Sequence, residues 1–535
     1  MFFVGGCAGN DQPVVYRQTT LNTGQQVVCA DPILRADLGP MVRHEPLGDW
    51  QDQQAVSRWP EQGEVMQGMG VAVVDVSGDG ILDILLPNFG QDQVYLGQVD
   101  GSYVDETSSR WPADPADPTE AFSVADVDGD GDLDVFASNR GGVNKLYLND
   151  GAGFFTKSVN DGLITDVYGS VGAVFGDLDR DGDLDMMVNN HLETEYPGST
   201  EDGDPNTLYY NNGDGTFEDK TALIPAALNS GFTYMSAIVD VTGDHFPDIY
   251  LTNDFGPLAK PNQLFVNPGL VANSYIDRAK ALDVNVSIGG MGLGFGELNG
   301  DGVADFLLTN WGPINLLESI GYEGWVLTND AREIEWKHDD GAYSSWATDL
   351  QDLDNDGDLD FLAASGELME PNSVAANPAD QPDGLFLRDG DLFVESGEAW
   401  GMHEDIGNTR GVVIVDLNGD GFLDMVKRDI RADAYIWLAR CDDNHWSTIT
   451  LEDDSHNGFA VGARVKLKAG GQTQYRWVGS TGRGFATSGP HTVHFGLGGA
   501  TEIDEVEVQW PDGGVSNHVG LTVNAPITIS RSLVE

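Results

Sequence analysis

Short apolar or small-residue runs recur in pairs along the chain, each pair bracketing a polar segment rich in acid and glycine. The leading runs include GVAVV (70–74), AFSVA (121–125), GAVFG (172–176) and GVVIV (411–415). The trailing runs include ILLP (84–87), VFAS (135–138), MMVN (186–189) and MVKR (425–428). Runs this short, without a helical period and separated by glycine-bearing turns, predict strand–loop–strand hairpins. Further on comes an aromatic strand ending in asparagine, as in LYLN (146–149), LYYN (208–211) and LFVN (264–267). A turn such as NGDG (212–215) follows, then a fourth strand such as YVDET (103–107) or FEDKT (217–221). Four strands in a unit of roughly 50 to 60 residues is the pattern of a β-propeller blade.

The polar segments are copies of one loop. The pattern D-x-[DNST]-x-D-G-x-x-D occurs as DVSGDGILD (75–83), DVDGDGDLD (126–134), DLDRDGDLD (177–185), DVTGDHFPD (240–248), ELNGDGVAD (297–305), DLDNDGDLD (352–360) and DLNGDGFLD (416–424). A single copy is an ordinary acidic turn, but seven in matching strand contexts define a repeat.

Calcium is a hard cation that takes roughly six to eight oxygens. Side chains at loop positions one, three, five and nine supply such oxygens, and glycine at position six permits the sharp turn. The expected ligands are Asp75, Ser77, Asp79 and Asp83; Asp126, Asp128, Asp130 and Asp134; Asp177, Asp179, Asp181 and Asp185; Asp240, Thr242, Asp244 and Asp248; Glu297, Asn299, Asp301 and Asp305; Asp352, Asp354, Asp356 and Asp360; and Asp416, Asn418, Asp420 and Asp424. Up to seven calcium ions follow, one per loop, with folding coupled to metal. An EF-hand is excluded, because it needs flanking helices and a glutamate at position twelve. The Asp126, Asp177 and Asp352 loops carry acids at all four positions and are expected to bind tightest. The Asp240 loop, with His245 in the glycine position, and the Glu297 loop are expected to be the weakest or most distorted.

These repeats resemble the FG-GAP or VCBS repeats of integrin α-chain propellers and many bacterial surface proteins. The resemblance covers roughly residues 60–440 and implies a seven-bladed, all-β propeller with integrin-like calcium loops. Residues before about 60 are then expected to supply an outer strand that closes the ring.

Beyond residue 441 the acidic loops stop. Valine, threonine, aromatic residues and glycine alternate without helical period, which predicts a compact β domain. GARV (462–465), RGF (483–485), HFGLG (494–498) and VQWPDG (508–513) resemble the ASPIC/UnbV domain. The pairing resembles the cartilage acidic protein family and its bacterial relatives, and implies an extracellular, calcium-binding, adhesive or recognition role. Arg483, His494 and Trp510 read as structural residues of that domain. FGLG reads as a strand and turn, since no helix start or lysine follows as a phosphate loop requires. The chain divides into 1–13, a truncated lipoprotein signal or a flexible N-terminus; 14–60, the N-terminal segment with the expected ring-closing strand; 61–440, the seven-bladed propeller; and 441–535, the small ASPIC/UnbV-like β domain.

Charge sharpens this picture. Asp and Glu number 87 against 27 Lys and Arg, a net charge of −60. Such a chain repels nucleic acid and anionic headgroups. Three cysteines, Cys7, Cys29 and Cys441, form no CxxC pair. VGGC (4–7) resembles the end of a bacterial lipoprotein signal, which makes Cys7 a lipidation candidate; the basic start and most of the apolar stretch of such a signal are missing. The other reading is a flexible N-terminus with one free thiol. Cys29 and Cys441 flank the propeller and are candidates for a disulfide, with two separate thiols as the alternative.

No HExxH, GxSxG, Walker or dinucleotide-binding motif is present. The leading expectation is therefore an extracellular or cell-surface recognition or adhesion protein, in one form a bacterial outer-membrane lipoprotein, with a protein or glycan partner. The insertions 191–206, 254–262 and 365–384 are candidate contact loops. The alternative is a calcium-dependent polysaccharide lyase or hydrolase with its active site at the propeller axis. A pocket there gathering His, Tyr, Arg or Lys would favour it; small or apolar lining would disfavour it.

Overall fold

The computed structural model describes residues 17–27, 41–43 and 69–533, the last stretch apart from 114–116, 160, 166, 193–201, 270–273, 339–340, 367–380, 403–405, 431–433 and 480–484. It is almost entirely β. Each acidic loop joins a buried first strand to a buried second strand, and the pairs are antiparallel. The first strands are Val71–Val74, Thr119–Ala125, Tyr168–Gly176, Phe232–Val239, Gly290–Gly296, Ser345–Gln351 and Thr409–Val415. The second strands all begin at the last aspartate of the loop, from Asp83–Leu86 to Asp424–Asp429. A third strand, such as Lys145–Leu148 or Thr207–Asn211, and a short fourth, such as Tyr103–Asp105 or Phe217–Asp219, complete each sheet.

Successive first strands lie against one another, and the seventh lies against the first, so these strands close a ring. This explains their composition. They are buried on both sides and must approach closely, which favours glycine and alanine over alternating polar residues. At Gly292 an added Cβ would stand 2.1 Å from the Trp346 carbonyl of the next sheet. The fourth strand of the seventh sheet comes from the other end of the chain: Met41–Arg43 pairs with Ala434–Ala439, Met41 opposite Ala439.

The C-terminal region forms two further sheets around their own core of Val465, Leu467, Val493, Phe495, Val508 and Trp510. In one sheet His445–Asp453 lies between Val493–Gly498 and Ala525–Leu533. Arg17–Thr23 adds to its edge, antiparallel to Ala525–Leu533. The N-terminal segment thus contributes strands to both units, a division that spans hundreds of residues and that no local pattern signals.

The C-terminal domain also enters the ring. Thr487–Ser488 pairs in parallel with Val71–Ala72 of the first sheet, and the Ser488 hydroxyl donates to the Phe122 carbonyl at 2.9 Å. Phe485 is fully buried, with ring centroids 5.1 Å from Tyr234 and 5.4 Å from Trp346. The axis is therefore filled by a segment of the small domain. Replacing Phe485 by alanine is expected to cost about 3–5 kcal/mol, read as a lowered denaturant midpoint for the propeller and not only for the small domain.

Candidate metal centres

All seven loops adopt one backbone trace. Positions four and six have positive φ throughout: Gly78 and Gly80, Gly129 and Gly131, Arg180 and Gly182, Gly243 and His245, Gly300 and Gly302, Asn355 and Gly357, and Gly419 and Gly421. His245 takes the same left-handed conformation (φ 69°) as the glycines. Its N–H donates to Asp240 Oδ2 at 2.9 Å, as Gly80 does to Asp75. The expected distortion of the Asp240 loop is therefore absent. The side chain is accommodated because it points away from the loop centre, with Nδ1 2.9 Å from Gln509 Nε2.

Hydrogen bonds divide the acidic side chains into three roles. The position-one acid accepts from loop N–H groups, as Asp126 does from Gly129 (2.8 Å) and Gly131 (3.0 Å). The position-five acid accepts from the N–H two residues on, as Asp79 does from Ile81. The position-nine aspartates Asp83, Asp134, Asp185, Asp248, Asp305, Asp360 and Asp424 are at most 1% exposed. Each clasps at least two N–H groups, one at loop position two and one at the third strand, and Asp83 also takes that of Ser77. For Asp134 these are Val127 (3.1 Å) and Asn149 (2.9 Å); for Asp185, Leu178 (2.8 Å) and Asn211 (3.0 Å). Position nine is thus a cross-strand brace as well as a metal candidate.

Carboxylate oxygens of three loops converge. Asp126, Asp128 and Asp134, then Asp177, Asp179 and Asp185, then Asp352, Asp354 and Asp356 each place one oxygen within 4.8 Å of the others. These are the loops with acids at all four side-chain positions. In the remaining four, position three is Ser77, Thr242, Asn299 or Asn418. In the Glu297 loop the longer acid folds back onto the Gly300 and Asp301 N–H groups. There the Asn299 amide donates to the Ser319 carbonyl at 3.0 Å.

The donor set fits a hard cation. Asp128 Oδ1, Asp177 Oδ1, Asp179 Oδ1, Asp352 Oδ1 and Thr242 Oγ1 are buried with no hydrogen-bond partner, a costly condition that a cation would relieve. Burial first, then neighbouring carboxylates, push Asp177 up to about 7 and Asp134 to about 8. Asp126, Asp179 and Asp354 rise to about 6, chiefly by burial. Metal bound by these groups would hold them ionised.

Two features escaped the sequence. The asparagines that end the third strands link neighbouring sheets: Asn149 Nδ2 donates to the Val76 carbonyl (2.9 Å), Asn211 to Val127 (2.7 Å) and Asn267 to Leu178 (2.8 Å). Recurrence of Asn in LYLN, LYYN and LFVN was the available signal. The second feature is that the C-terminal domain lies across the loop face. His456 Nδ1 is 2.7 Å from Asp183 Oδ1, and Arg180 donates to the Asp512 carbonyl. Arg464 donates to the Gly302 carbonyl at 2.9 Å, Asn444 to that of Asp354 at 2.8 Å, and Trp446 packs on Gly421. A cavity of about 210 Å³ remains between this domain and the ring, lined by Asp349, Gln351, Val413, Thr448, Thr487 and His494.

Cys441 is disulfide-bonded and buried beside Phe422 and Trp446. Cys29, its expected partner, lies outside the described residues, as do Cys7, Arg483 and much of the insertions 191–206 and 365–384. Among the described residues no helix is long and apolar enough to cross a membrane.

Comparison with known proteins agrees with these features. An ASPIC and UnbV family model matches residues 453–534, and an FG-GAP-like repeat model matches 75–137 and 126–188. Cartilage acidic protein 1 of Mus musculus is 24% identical over 479 residues, covering 83% of this chain and 70% of the relative. That of Homo sapiens is 24% identical over 474 residues, covering 83% and 69%. A solved Agrocybe aegerita lectin that recognises non-reducing terminal N-acetylglucosamine aligns at TM-score 0.40 and 17% identity, over 67% of this chain and 88% of that one.

The raised carboxylates give metal-free protein a signed pH response. Folded, it keeps protons that the unfolded chain releases above the ordinary Asp value, so its stability falls as pH rises from about 4 to about 8. Denaturation in chelator at stepped pH should show this decline, and saturating calcium should flatten it.

Proposed function

For a chain that carries FG-GAP-like repeats and an ASPIC and UnbV domain, we propose an extracellular recognition or adhesion protein. It is a seven-bladed, calcium-loaded propeller that offers a rigid surface to a protein or glycan partner. The observation that carries this reading is the repetition of one loop with buried, unpartnered carboxylate oxygens along a ring of hairpins. Calcium would sit among the position-one, -three, -five and -nine side chains and supply fixed positive charge. The chain's own contribution is to hold those oxygens at the hairpin ends and brace each hairpin to its third strand. Because the C-terminal domain covers the loop face, the opposite face and the outer edges are the surfaces offered to a partner. The disulfide at Cys441 supports an oxidising compartment; Cys29 as its partner and a lipid on Cys7 complete the surface-protein reading. The test is binding of the full chain to arrays of matrix proteins and glycans, in calcium and in chelator. A specific, calcium-dependent partner is expected; no partner on either array, or equal binding in chelator, would sink the reading.

One arrangement favours the enzymatic alternative. At the end of the axis opposite the loops, three sheets bring together Glu120, Arg140, His191, Tyr234 and Asp254, all buried. His191 Nε2 lies 3.3 Å from Asp254 Oδ2, and the His191 ring stacks on Tyr234 at 4.2 Å. Arg140 pairs with Glu120 at 3.6 Å, while burial pushes the Glu120 carboxyl up to about 7. Burial lowers the His191 pKa and raises that of Glu120, so this end of the axis holds a neutral imidazole and a separate carboxyl able to carry a proton, the two roles that acid–base cleavage of a polysaccharide requires. Against it stands Phe485, which fills the adjoining axis. Release of new reducing ends or unsaturated sugars from a polysaccharide panel, abolished in His191→Ala, would establish this activity; an inert wild-type chain removes it.

A further inference from the structure

The seven loops are not equally open. Six have at least one exposed residue; the loop Asp352–Asp360 has none. What covers it is the HFGLG segment of the C-terminal domain. Asn355 holds loop position four, where five of the other loops have glycine, and keeps the left-handed conformation (φ 57°) that this position requires. Its side chain explains why asparagine stands there. Nδ2 donates to the Gly421 carbonyl of the seventh loop at 3.0 Å, and Oδ1 lies 2.6 Å from His494 Nε2. Its carbonyl accepts from the Gly498 N–H at 2.7 Å. Gly496 packs so tightly that an added Cβ would stand 2.2 Å from Asp352 Oδ2. Below this contact Asp352 is fully buried, with Oδ1 unpartnered and one oxygen within 4.8 Å of those of Asp354 and Asp356.

We propose that the Asp352 loop is an interdomain calcium site, closed over by the C-terminal domain, whose ion fastens that domain to the ring. This rests on the calcium reading above. Asp352, Asp354 and Asp356 would hold the ion; Asn355, His494, Gly496 and Gly498 are positioning residues that enclose it without ligating it. Metal and docking are then linked: each stabilises the other by the same free energy. Leaving this site also requires the docking contact to open locally, which the exposed Asp75 loop does not need.

The test follows calcium leaving the loaded full-length chain after mixing with excess chelator, by indicator fluorescence, with retained metal counted by atomic emission. Release is expected in two phases, with roughly one ion in the slow phase, and Asn355→Gly should accelerate that phase at least about tenfold. That substitution installs the residue used at the same position elsewhere, so the loop keeps its trace. Total calcium at saturation should change little. Gly496→Ala should act in the same direction by pushing the domain off the loop. Release in one phase, or a slow phase unchanged in Asn355→Gly, overturns the proposal while leaving a calcium propeller intact. A chain that binds no calcium at all overturns the calcium reading itself.

Discussion

The structure depends on keeping carboxylates in places where water cannot reach them. Seven aspartates sit at the base of seven hairpins, essentially without solvent contact, each held by backbone N–H groups from the loop and from the third strand. This bond set ties loop, second strand and third strand into one unit. Around it the remaining loop oxygens crowd together, and several have no partner. An isolated buried carboxylate is costly, and a group of them is more costly still. A cation bound there would relieve that cost, and the loop sequence that would supply its oxygens is repeated seven times.

Between sheets the forces are different. The first strands pack through Val, Phe, Met and Trp side chains, and where backbones come closest, as at Gly292 against the Trp346 carbonyl, only glycine fits. Asn149, Asn211 and Asn267 each reach the preceding loop and donate to one of its carbonyls. The axis is closed by Phe485 and Thr487–Ser488, so the small domain is part of the propeller's core and not an appendage.

That arrangement assigns the two faces. The loop face is occupied internally by the C-terminal domain. The opposite end gathers the buried group of Glu120, Arg140, His191, Tyr234 and Asp254 and is not covered by that domain's contacts with the loops. The charge of −60 then has two parts: acids committed to the loops, and a solvated surplus that keeps the chain apart from other polyanions.

The hairpins, their seven acidic loops and the separate β character of the last ninety or so residues were legible in the sequence, because each is encoded locally. A strand has a period of two, a loop needs glycine at positive φ, and a cation needs oxygens at fixed spacing. Even the departures carried information, although His245 proved compatible with the turn it was expected to distort. What the sequence did not disclose is everything set by distance along the chain. Arg17–Thr23 joins a sheet with Ala525–Leu533, and Met41–Arg43 completes the seventh sheet. His494 and Gly496 looked like internal features of a small domain, yet they rest on Asn355 and Asp352. Pairing and docking of this kind depend on which surfaces remain unsatisfied after local folding, and only the assembled tertiary structure decides that.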